Sequence, residues 1–229
     1  YDLGSLELAV YAGAAVDLEF LKRLGRMAPR IATGLGMTEN AGFATLTLPG
    51  IPIEEMAGQV GRAFPELAAV TVRAPMHPDG RAGEELPDGE IGEICYHPPI
   101  VFLGYYDDPE ATARTVSREG LLYTGDLGWF KDLGTYRALY LAGRRKFMIK
   151  QKGYNVFPGE VEDHIARMPE VEMVEVIGMP HRLFDEGVFA YVKLRPGASL
   201  TAEAVGDHCR GMAAYKRPQH VHIWPEGAE

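Results

Sequence analysis

A basic stretch at residues 143–162 has the residue types that could hold an anionic ligand. It reads GRRKFMIKQKGYNVFPGEVE, in which Arg144 directly follows a glycine and Lys152 directly precedes one. A guanidinium suits phosphate or sugar hydroxyl groups, and a glycine lets the backbone bend. On residue types alone, a solvated basic hairpin is an equally good interpretation, because basic clusters are common and only weakly specific.

A second candidate site is the sequence GLGMTE at residues 34–39. Its glycines allow the backbone to turn closely past a ligand, while Thr38 offers a hydroxyl and Glu39 offers a hard oxygen ligand. A phosphate with Mg²⁺ fits this pair of side chains. The alternative is a glycine-rich turn that a helix-capping threonine closes.

Asp126 ends the sequence YTGD, which predicts a turn that holds the carboxylate outward on a fixed backbone. The two oxygens of one carboxylate match the two adjacent donors of a ribose cis-diol. The alternative is an aspartate that stabilises the turn itself.

Together these stretches resemble the signatures of the acyl-activating, AMP-forming ligases, which include acyl-CoA synthetases, nonribosomal-peptide adenylation domains and luciferases. In the family's order, the resemblance is carried by GLGMTE at 34–39, GYYDDPEAT at 104–112, YTGD at 123–126 and the basic stretch at 143–162. It extends from Gly13 to about Pro218, nearly the whole chain. It implies ATP or AMP, Mg²⁺ and coenzyme A as cofactors.

The resemblance implies roles for individual residues around the nucleotide. Thr38 is implied to contact a phosphate and Glu39 to hold Mg²⁺, and both are implied to act in catalysis. Asp126 is implied to bind ribose, and Arg144 to contact ribose or phosphate. The family commonly has an adenine-stacking aromatic residue where this chain has Leu35, so adenine would be held here by apolar contact. The other implied nucleotide-binding residues are Gly13, Ala14, Ala15, Gly34, Gly36 and Met37.

For the second half-reaction, the resemblance implies a hinge and a channel. Lys146 stands at the hinge position, about which the small domain swings between the two half-reactions. The loop that lines the channel for the pantetheine arm of coenzyme A corresponds to Lys152, Gly153 and Tyr154. The family's catalytic lysine is expected after the last residue of this sequence, so it is not Lys216. The family's phosphate loop is expected before the first residue. The residues expected to line the acyl pocket are Ala41, Gly42 and Phe43.

Size and composition narrow the classes of protein. A chain of 229 residues suffices for one large domain or two modest ones. The 23 basic and 32 acidic residues give a formal charge of −9, which argues against nucleic acid or an anionic membrane surface as the main partner. No apolar run is long enough to span a bilayer. The widely spaced Cys95 and Cys209 favour a reduced, cytoplasmic setting.

The apolar pattern predicts an α/β fold followed by an α+β fold. A strand near residues 6–10, a helix from Asp17 and a strand near Ile31 are typical of a parallel α/β sheet. Short runs between turns then predict a barrel-like β subdomain. A helix from Pro158 with apolar residues at helical spacing, two strands after it and a last helix from about Thr201 to Ala213 predict a small α+β domain, which the resemblance implies is mobile. The expected domains are residues 1–57, the end of a large α/β adenylate-forming domain; 58–143, the barrel-like subdomain; and 144–229, the incomplete C-terminal domain.

By resemblance, the chain is expected to be the C-terminal part of an acyl-CoA synthetase and inactive alone. The intact enzyme would join a small-molecule carboxylic acid to AMP, release pyrophosphate, and pass the acyl group to coenzyme A. Two alternatives stay open: an adenylation domain that loads a carrier-protein thiol, and an inactive nucleotide-binding fragment or pseudoenzyme. The identity of the acid and the formation of a homodimer are left open as well.

Overall fold

In the computed structural model, the described residues are 3–13, 16, 18–67, 69–181 and 186–224. The chain divides into two compact units, Tyr1–Ala142 and Gly143–Glu229. Each unit has its own buried apolar core. The three-domain division expected from the sequence stays a prediction.

The first unit begins with a strand, a helix and a second strand. Strand β1 (Leu8–Tyr11) pairs in parallel with β2 (Arg30–Thr33), and α1 (Leu18–Leu24) lies between them in the chain. Leu21 of α1 is fully buried and packs with Ile31 of β2. The predicted strand, helix and strand are confirmed, whereas Asp17, the expected start of the helix, lies outside the described residues.

Short hairpins follow β2 and carry the first motif. Their elements are β3 (Gly36–Met37), β4 (Gly42–Phe43), β5 (Thr45–Leu46), α2 (Ile53–Met56) and β6 (Arg62–Ala63). β3 pairs antiparallel with β4, and β5 pairs antiparallel with β6. One turn of 3₁₀ helix, Thr38–Asn40, connects β3 to β4. GLGMTE therefore runs along one strand of a hairpin and into its connecting turn.

A four-stranded sheet follows, and its last strand runs two residues past Ala142, the end of the first unit. Its strands are β7 (Val70–Arg73), β8 (Gly92–Tyr96), β9 (Leu122–Asp132) and β10 (Arg137–Arg144), in the order β10-β9-β8-β7. Helix α3 (Pro109–Thr115) lies between β8 and β9 in the chain. All five residues of β8 are buried, so this central strand lies inside the unit's core. Closure of the sheet into a barrel stays a prediction.

The second unit is built on a three-stranded sheet. Its elements are β11 (Ile149–Gln151), β12 (Tyr154–Val156), α4 (Pro158–Ile165), β13 (Val171–Pro180), β14 (Glu186–Leu194), α5 (Ala202–His208) and β15 (His220–Ile223). β14 pairs antiparallel with β13 and parallel with β15, and β11 pairs antiparallel with β12. The last helix was predicted to reach residue 213, but it ends at His208 and continues as 3₁₀ turns.

Apolar residues at helical spacing hold the second unit together. Val161 and Ile165 of α4 are fully buried and pack against the interior of the sheet, as the sequence predicted for this helix. Val205 of α5 joins the same core. Within the described parts of both units, no helix has the length and apolar character needed to cross a membrane.

Candidate active site

The two glycines of GLGMTE are required by the protein's own backbone. A Cβ atom on Gly36 would lie 1.8 Å from the carbonyl oxygen of Gly42, and one on Gly34 would lie 2.3 Å from that of Thr45. No side chain fits at such distances. The sequence assigned these glycines to the close approach of a ligand, whereas the structure shows that close packing of neighbouring strands already demands them.

Two buried threonines fix the strand that leads into the motif. The Thr45 hydroxyl accepts a hydrogen bond from the Leu35 backbone N–H at 3.0 Å and donates one to the Val60 carbonyl oxygen at 2.6 Å. The Thr47 hydroxyl accepts from the Thr33 N–H at 2.8 Å. Sequence reasoning did not single out these residues, although their alternation with leucine in TLTL was a signal for inward-facing hydroxyls.

Thr38 and Glu39 are neighbours on the single 3₁₀ turn after β3. The turn begins where the Met37 N–H donates to the Asn40 Oδ1 at 2.7 Å, and it closes where the Ala41 N–H donates to the Thr38 carbonyl oxygen at 3.1 Å. Ala41 has a left-handed backbone with φ of 59°. The Thr38 side chain is exposed and that of Glu39 is half-buried, so both groups are accessible on one rigid turn.

A tyrosine from the second motif contacts the Glu39 carboxylate. The Tyr105 hydroxyl donates a hydrogen bond to Glu39 Oε1 at 2.8 Å, and the Phe102 N–H donates to the Glu39 carbonyl oxygen at 2.8 Å. Burial raises the pKa of the Tyr105 hydroxyl, and the hydrogen bond to the Glu39 carboxylate raises it further. The sequence matched the motif that contains Tyr105 but did not connect it with Glu39.

Helix α3 anchors the loop that carries Tyr105. Asp108 caps the helix, since its Oδ1 accepts the Ala111 N–H at 2.8 Å, and Pro109 occupies the first helical position. Thr112 of α3 then accepts the Tyr105 N–H on its hydroxyl oxygen at 2.9 Å. The GYYDDPEAT motif is therefore a loop held at both ends, with its first tyrosine directed to Glu39.

The environment of Glu39 fits Mg²⁺ bound together with phosphate. Mg²⁺ is usually held by one or two carboxylates and by substrate phosphate oxygens, with waters completing its shell. The described residues contain no group of three or more His, Cys, Asp or Glu side chains that could hold a metal alone. A Mg²⁺ site here would thus need Glu39 together with oxygens of a bound phosphate group. Because Tyr105 is bonded to Oε1, Oε2 is the carboxylate oxygen that this contact leaves for a cation.

Asp126 lies in a β-bulge and not in the turn that the sequence predicted. Across the β8 and β9 pair, Glu93 faces Leu127 while Cys95 faces Tyr123, so β9 carries extra residues between these pairs. The bulge contains Gly125, whose φ is +76°, a value that favours glycine. The Asp126 side chain is not turned fully outward either, because the residue is only 8% exposed.

Buried polar groups hold the bulge in place. The Gly125 N–H donates to Glu93 Oε1 at 2.9 Å, and the Thr124 hydroxyl donates to the Ile94 carbonyl oxygen at 2.8 Å. The Asp126 N–H donates to the Thr124 hydroxyl at 3.1 Å. Burial raises the pKa of the Tyr96 hydroxyl on β8, and the nearby Asp126 carboxylate adds to that rise. Glu93 and Tyr96 were missed by sequence reasoning, because buried strand residues carry no motif.

The remaining candidates of the first unit lie around the hairpin of β3 and β4. Leu35 and Met37 are half-buried and pack against the apolar core that includes Val60. Ala41, Gly42 and Phe43, the candidate acyl-pocket residues, are all exposed at the end of this hairpin. Gly13 is the second residue after β1 and has φ of +92°, whereas Ala14 and Ala15 lie outside the described residues.

In the second unit, the candidate coenzyme A loop is a tight hairpin. Lys152 and Gly153 are the two residues between β11 and β12, and their φ values are +50° and +81°. Positive φ at both positions is typical of the type I′ turns that close two-residue hairpins. Tyr154, 56% exposed, stacks on Tyr215 with ring centroids 4.6 Å apart and ring planes 17° apart.

The other basic candidates of the second unit are exposed or paired. Arg144 is exposed at the end of β10, and Lys146 is exposed on the 3₁₀ turn Arg145–Phe147. Lys216 forms an ion pair with Glu160 in the first turn of α4. This pairing gives Lys216 a structural partner, and its exclusion as the catalytic lysine stays a prediction.

Family models match both units. The model of the AMP-binding enzyme matches residues 1–106, and the model of the AMP-binding enzyme C-terminal domain matches residues 160–227. A putative acyl-CoA ligase, YdaB, from Bacillus subtilis is 36% identical over 95% of this chain and 41% of its own length. 4-Coumarate-CoA ligase-like 6 from Oryza sativa is 37% identical over 96% of this chain and 36% of its own length.

Solved structures agree with the family models. ATP-bound MatB from Rhodopseudomonas palustris matches with a TM-score of 0.83 at 32% identity, over 95% of this chain and 41% of that one. The o-succinylbenzoate coenzyme A synthetase of Bacillus subtilis, in complex with ATP and magnesium, matches with a TM-score of 0.79 at 25% identity, over 96% of this chain and 43% of that one. This chain thus spans about two fifths of the length of the relatives it matches.

Proposed function

Because this chain belongs to the superfamily of acyl-activating, AMP-forming ligases, we propose that the intact protein is an AMP-forming acyl-CoA synthetase. A carboxylate oxygen of the acid attacks the phosphorus of ATP nearest the ribose, and the bond to pyrophosphate breaks. The coenzyme A thiol then loses its proton and attacks the acyl carbon, and AMP leaves. The products are pyrophosphate, AMP and an acyl thioester.

The observation that carries this proposal is the arrangement of Thr38 and Glu39 on one short turn. The Thr38 hydroxyl donates to a phosphate oxygen, and the Glu39 carboxylate holds the cation that accompanies the nucleotide. When bound, Mg²⁺ neutralises charge on the phosphates. The contact of Tyr105 with Glu39 supports this assignment, since metal-binding carboxylates are usually hydrogen-bonded to a second group.

The ribose is assigned to Asp126. Its carboxylate accepts the two adjacent hydroxyl hydrogens of the sugar, and the bulge of β9 supports this role because bulges re-aim side chains next to active sites. Adenine is held by the apolar Leu35 and by Gly13. Arg144 is assigned to ribose or phosphate, because a guanidinium suits both groups.

The second unit serves the thioester step. Lys146 is proposed as the hinge, and the hairpin of Lys152 and Gly153 with Tyr154 is proposed to line the channel for coenzyme A. Nothing fills the space within 4 Å of a Cβ added to Gly153, which supports a place where a thin chain passes close to the backbone. Rotation of such a domain is a conformational step of the kind that often limits turnover.

The proposal is tested by acid-dependent exchange of labelled pyrophosphate into ATP with the intact protein. A panel of short, aromatic and long-chain acids identifies the substrate class, and Asp126→Ala is expected to abolish the exchange. Asp132→Ala is the matched control, because Asp132 lies at the exposed end of the same strand. Exchange that persists in Asp126→Ala overturns the ribose assignment, and the absence of exchange with every acid favours the inactive nucleotide-binding alternative.

The same acids then separate the two thiol acceptors. The protein is incubated with ATP and either coenzyme A or a phosphopantetheine-bearing carrier protein, and the acyl thioester is measured by mass. Formation of acyl-coenzyme A is the expected result. Transfer to the carrier protein alone would assign the protein to the adenylation domains.

A further inference from the structure

We propose that Tyr105 is a positioning residue that orients the Glu39 carboxylate toward the cation of the nucleotide. The inference rests on the proposed function, because it takes Glu39 as the Mg²⁺ ligand. The sequence assigned no role in the reaction to the motif that contains Tyr105, and the structure shows this tyrosine in contact with Glu39. Tyr105 itself is not assigned a contact with substrate or metal.

The contact constrains one oxygen of a flexible side chain. A glutamate has three side-chain torsions, so an exposed carboxylate samples many positions. The 2.8 Å hydrogen bond from the Tyr105 hydroxyl to Oε1 selects one of them. Hydrogen bonds to an ionised acceptor are among the stronger ones, and Glu39 is half-buried, which favours this position of the carboxylate. The carboxylate then meets the cation with its orientation already set.

Tyr105 can act in this way because its own position is fixed. Its backbone N–H is bonded to the Thr112 hydroxyl at 2.9 Å, which ties it to α3. Its ring meets the Phe102 ring edge-on, with centroids 4.9 Å apart and planes at 75°. The Phe102 N–H is bonded to the Glu39 carbonyl oxygen, so the same loop holds both the backbone and the side chain of Glu39.

A purely structural role makes a different prediction. If the hydrogen bond only joins the loop to the hairpin, its loss weakens folding and affects nucleotide binding equally with and without metal. If it orients the carboxylate, its loss weakens only the binding that depends on the metal. The ratio of nucleotide affinity with Mg²⁺ to nucleotide affinity in EDTA separates these cases, because metal and nucleotide binding are reciprocally coupled.

The test measures this ratio for the intact protein with a fluorescent ATP analogue. Tyr105→Phe removes the hydroxyl and keeps the ring contact with Phe102. The matched control is Tyr106→Phe, the same chemical change on the next residue, whose side chain is 100% exposed. Glu39→Gln measures how much of the ratio depends on the carboxylate. Thermal unfolding of each variant confirms that it is folded.

We expect Tyr105→Phe to lower the affinity ratio about tenfold, which is the lower end of the effects usual for a group that supports a metal ligand. The affinity in EDTA should stay unchanged. Tyr106→Phe keeps the wild-type ratio. Suppose that Glu39→Gln lowers the ratio. If Tyr105→Phe then leaves the ratio unchanged, or lowers the affinities with Mg²⁺ and in EDTA equally, the role of Tyr105 is overturned while the proposed function stands. If Glu39→Gln leaves the ratio unchanged, the metal assignment itself fails, and the role of Tyr105 with it.

Discussion

Glu93 of β8 accepts a hydrogen bond from the backbone N–H of Gly125 of β9 at 2.9 Å, within the bulge that carries Asp126. Glu93 is only 2% exposed, so its carboxylate is part of the core of the first unit. An N–H shielded from water destabilises the fold when it loses its hydrogen-bond partner. The bulge interrupts the regular backbone hydrogen bonds between β8 and β9, so no backbone partner replaces this bond. The orientation of the candidate ribose-binding carboxylate therefore depends on a buried acid of the neighbouring strand.

We predict that Glu93→Ala lowers the free energy of unfolding by about 3 kcal/mol, because it removes the acceptor of a partly buried N–H and leaves a cavity. It should also weaken nucleotide binding, since the bulge loses a contact that holds Asp126. Glu93→Gln is the control, because its amide oxygen can still accept the Gly125 N–H. Urea unfolding and ATP-analogue binding measure the two effects. Equal losses in both variants would contradict this role for the hydrogen bond.

The hairpin of the first motif should not tolerate a side chain at Gly36. A Cβ there would lie 1.8 Å from the Gly42 carbonyl oxygen, so β3 and β4 must move apart. We expect Gly36→Ala to destabilise the protein by about 3 kcal/mol, at the upper end of ordinary overpacking. Gly206→Ala is the contrasting control, because Gly206 lies inside α5 with nothing within 4 Å of an added Cβ. It should stabilise the protein by about 1 kcal/mol in urea unfolding.

Glu162 should make the stability of the protein fall as the pH rises. Burial raises the pKa of this carboxyl, and the charges of Asp163 and Glu175 raise it further, although the Val176 N–H bonded to Oε1 at 2.8 Å opposes the rise. A group whose pKa is higher in the folded state stabilises the fold fully below its unfolded pKa. That contribution is lost as the pH rises through the raised folded value.

Glu162→Gln tests this sign. The variant keeps an acceptor for the Val176 N–H but is neutral at every pH, so it should match the wild type in acid and exceed it in stability at neutral pH. Urea unfolding is measured from about pH 4, near the ordinary pKa of a glutamate, to about pH 8, well above it. Glu203→Gln, at the exposed start of α5, controls for the loss of one negative charge. A gain in stability that is larger in acid would contradict the prediction.

Bulk at Gly153 should affect the thioester step alone. Any residue other than glycine is strained by about 1–2 kcal/mol at its φ of +81°. Gly153→Ala and Gly153→Leu share that strain, but only leucine projects a large side chain from the hairpin. We expect Gly153→Leu to keep pyrophosphate exchange and to lose thioester formation, with Gly153→Ala active in both steps. Equal loss of the two steps in the leucine variant would count against the channel assignment.

Local features were predictable because local physics decides them. The Asp108 cap and Pro109 mark the start of α3, and the spacing of Val161 and Ile165 marks the buried face of α4. The two-residue hairpin at Lys152 and Gly153 likewise follows from one pair of residues. In contrast, β15 was missed, because its exposed and half-buried residues pair with β14 only after the chain has returned to the sheet.

β9 shows why a motif can be recognised while its structure is misread. YTGD contains glycine and aspartate, which favour a turn in an isolated chain. The pairing of β9 with β8 overrides that preference. Gly125 therefore lies in a bulge that a hydrogen bond to Glu93 stabilises, within a strand that runs from Leu122 to Asp132. Pairing with a distant strand is invisible to a local pattern.

The sequence by itself determined the family, the order of the motifs and the residue types available to hold a nucleotide, because these depend on short stretches of neighbouring residues. Only the tertiary structure decided which groups act together. Tyr105 meets Glu39 from 66 positions away in the chain, and Glu93 meets Gly125 from 32. Such contacts depend on how strands and loops pack, since a hydrogen bond requires two atoms within about 3 Å, whatever their separation in sequence.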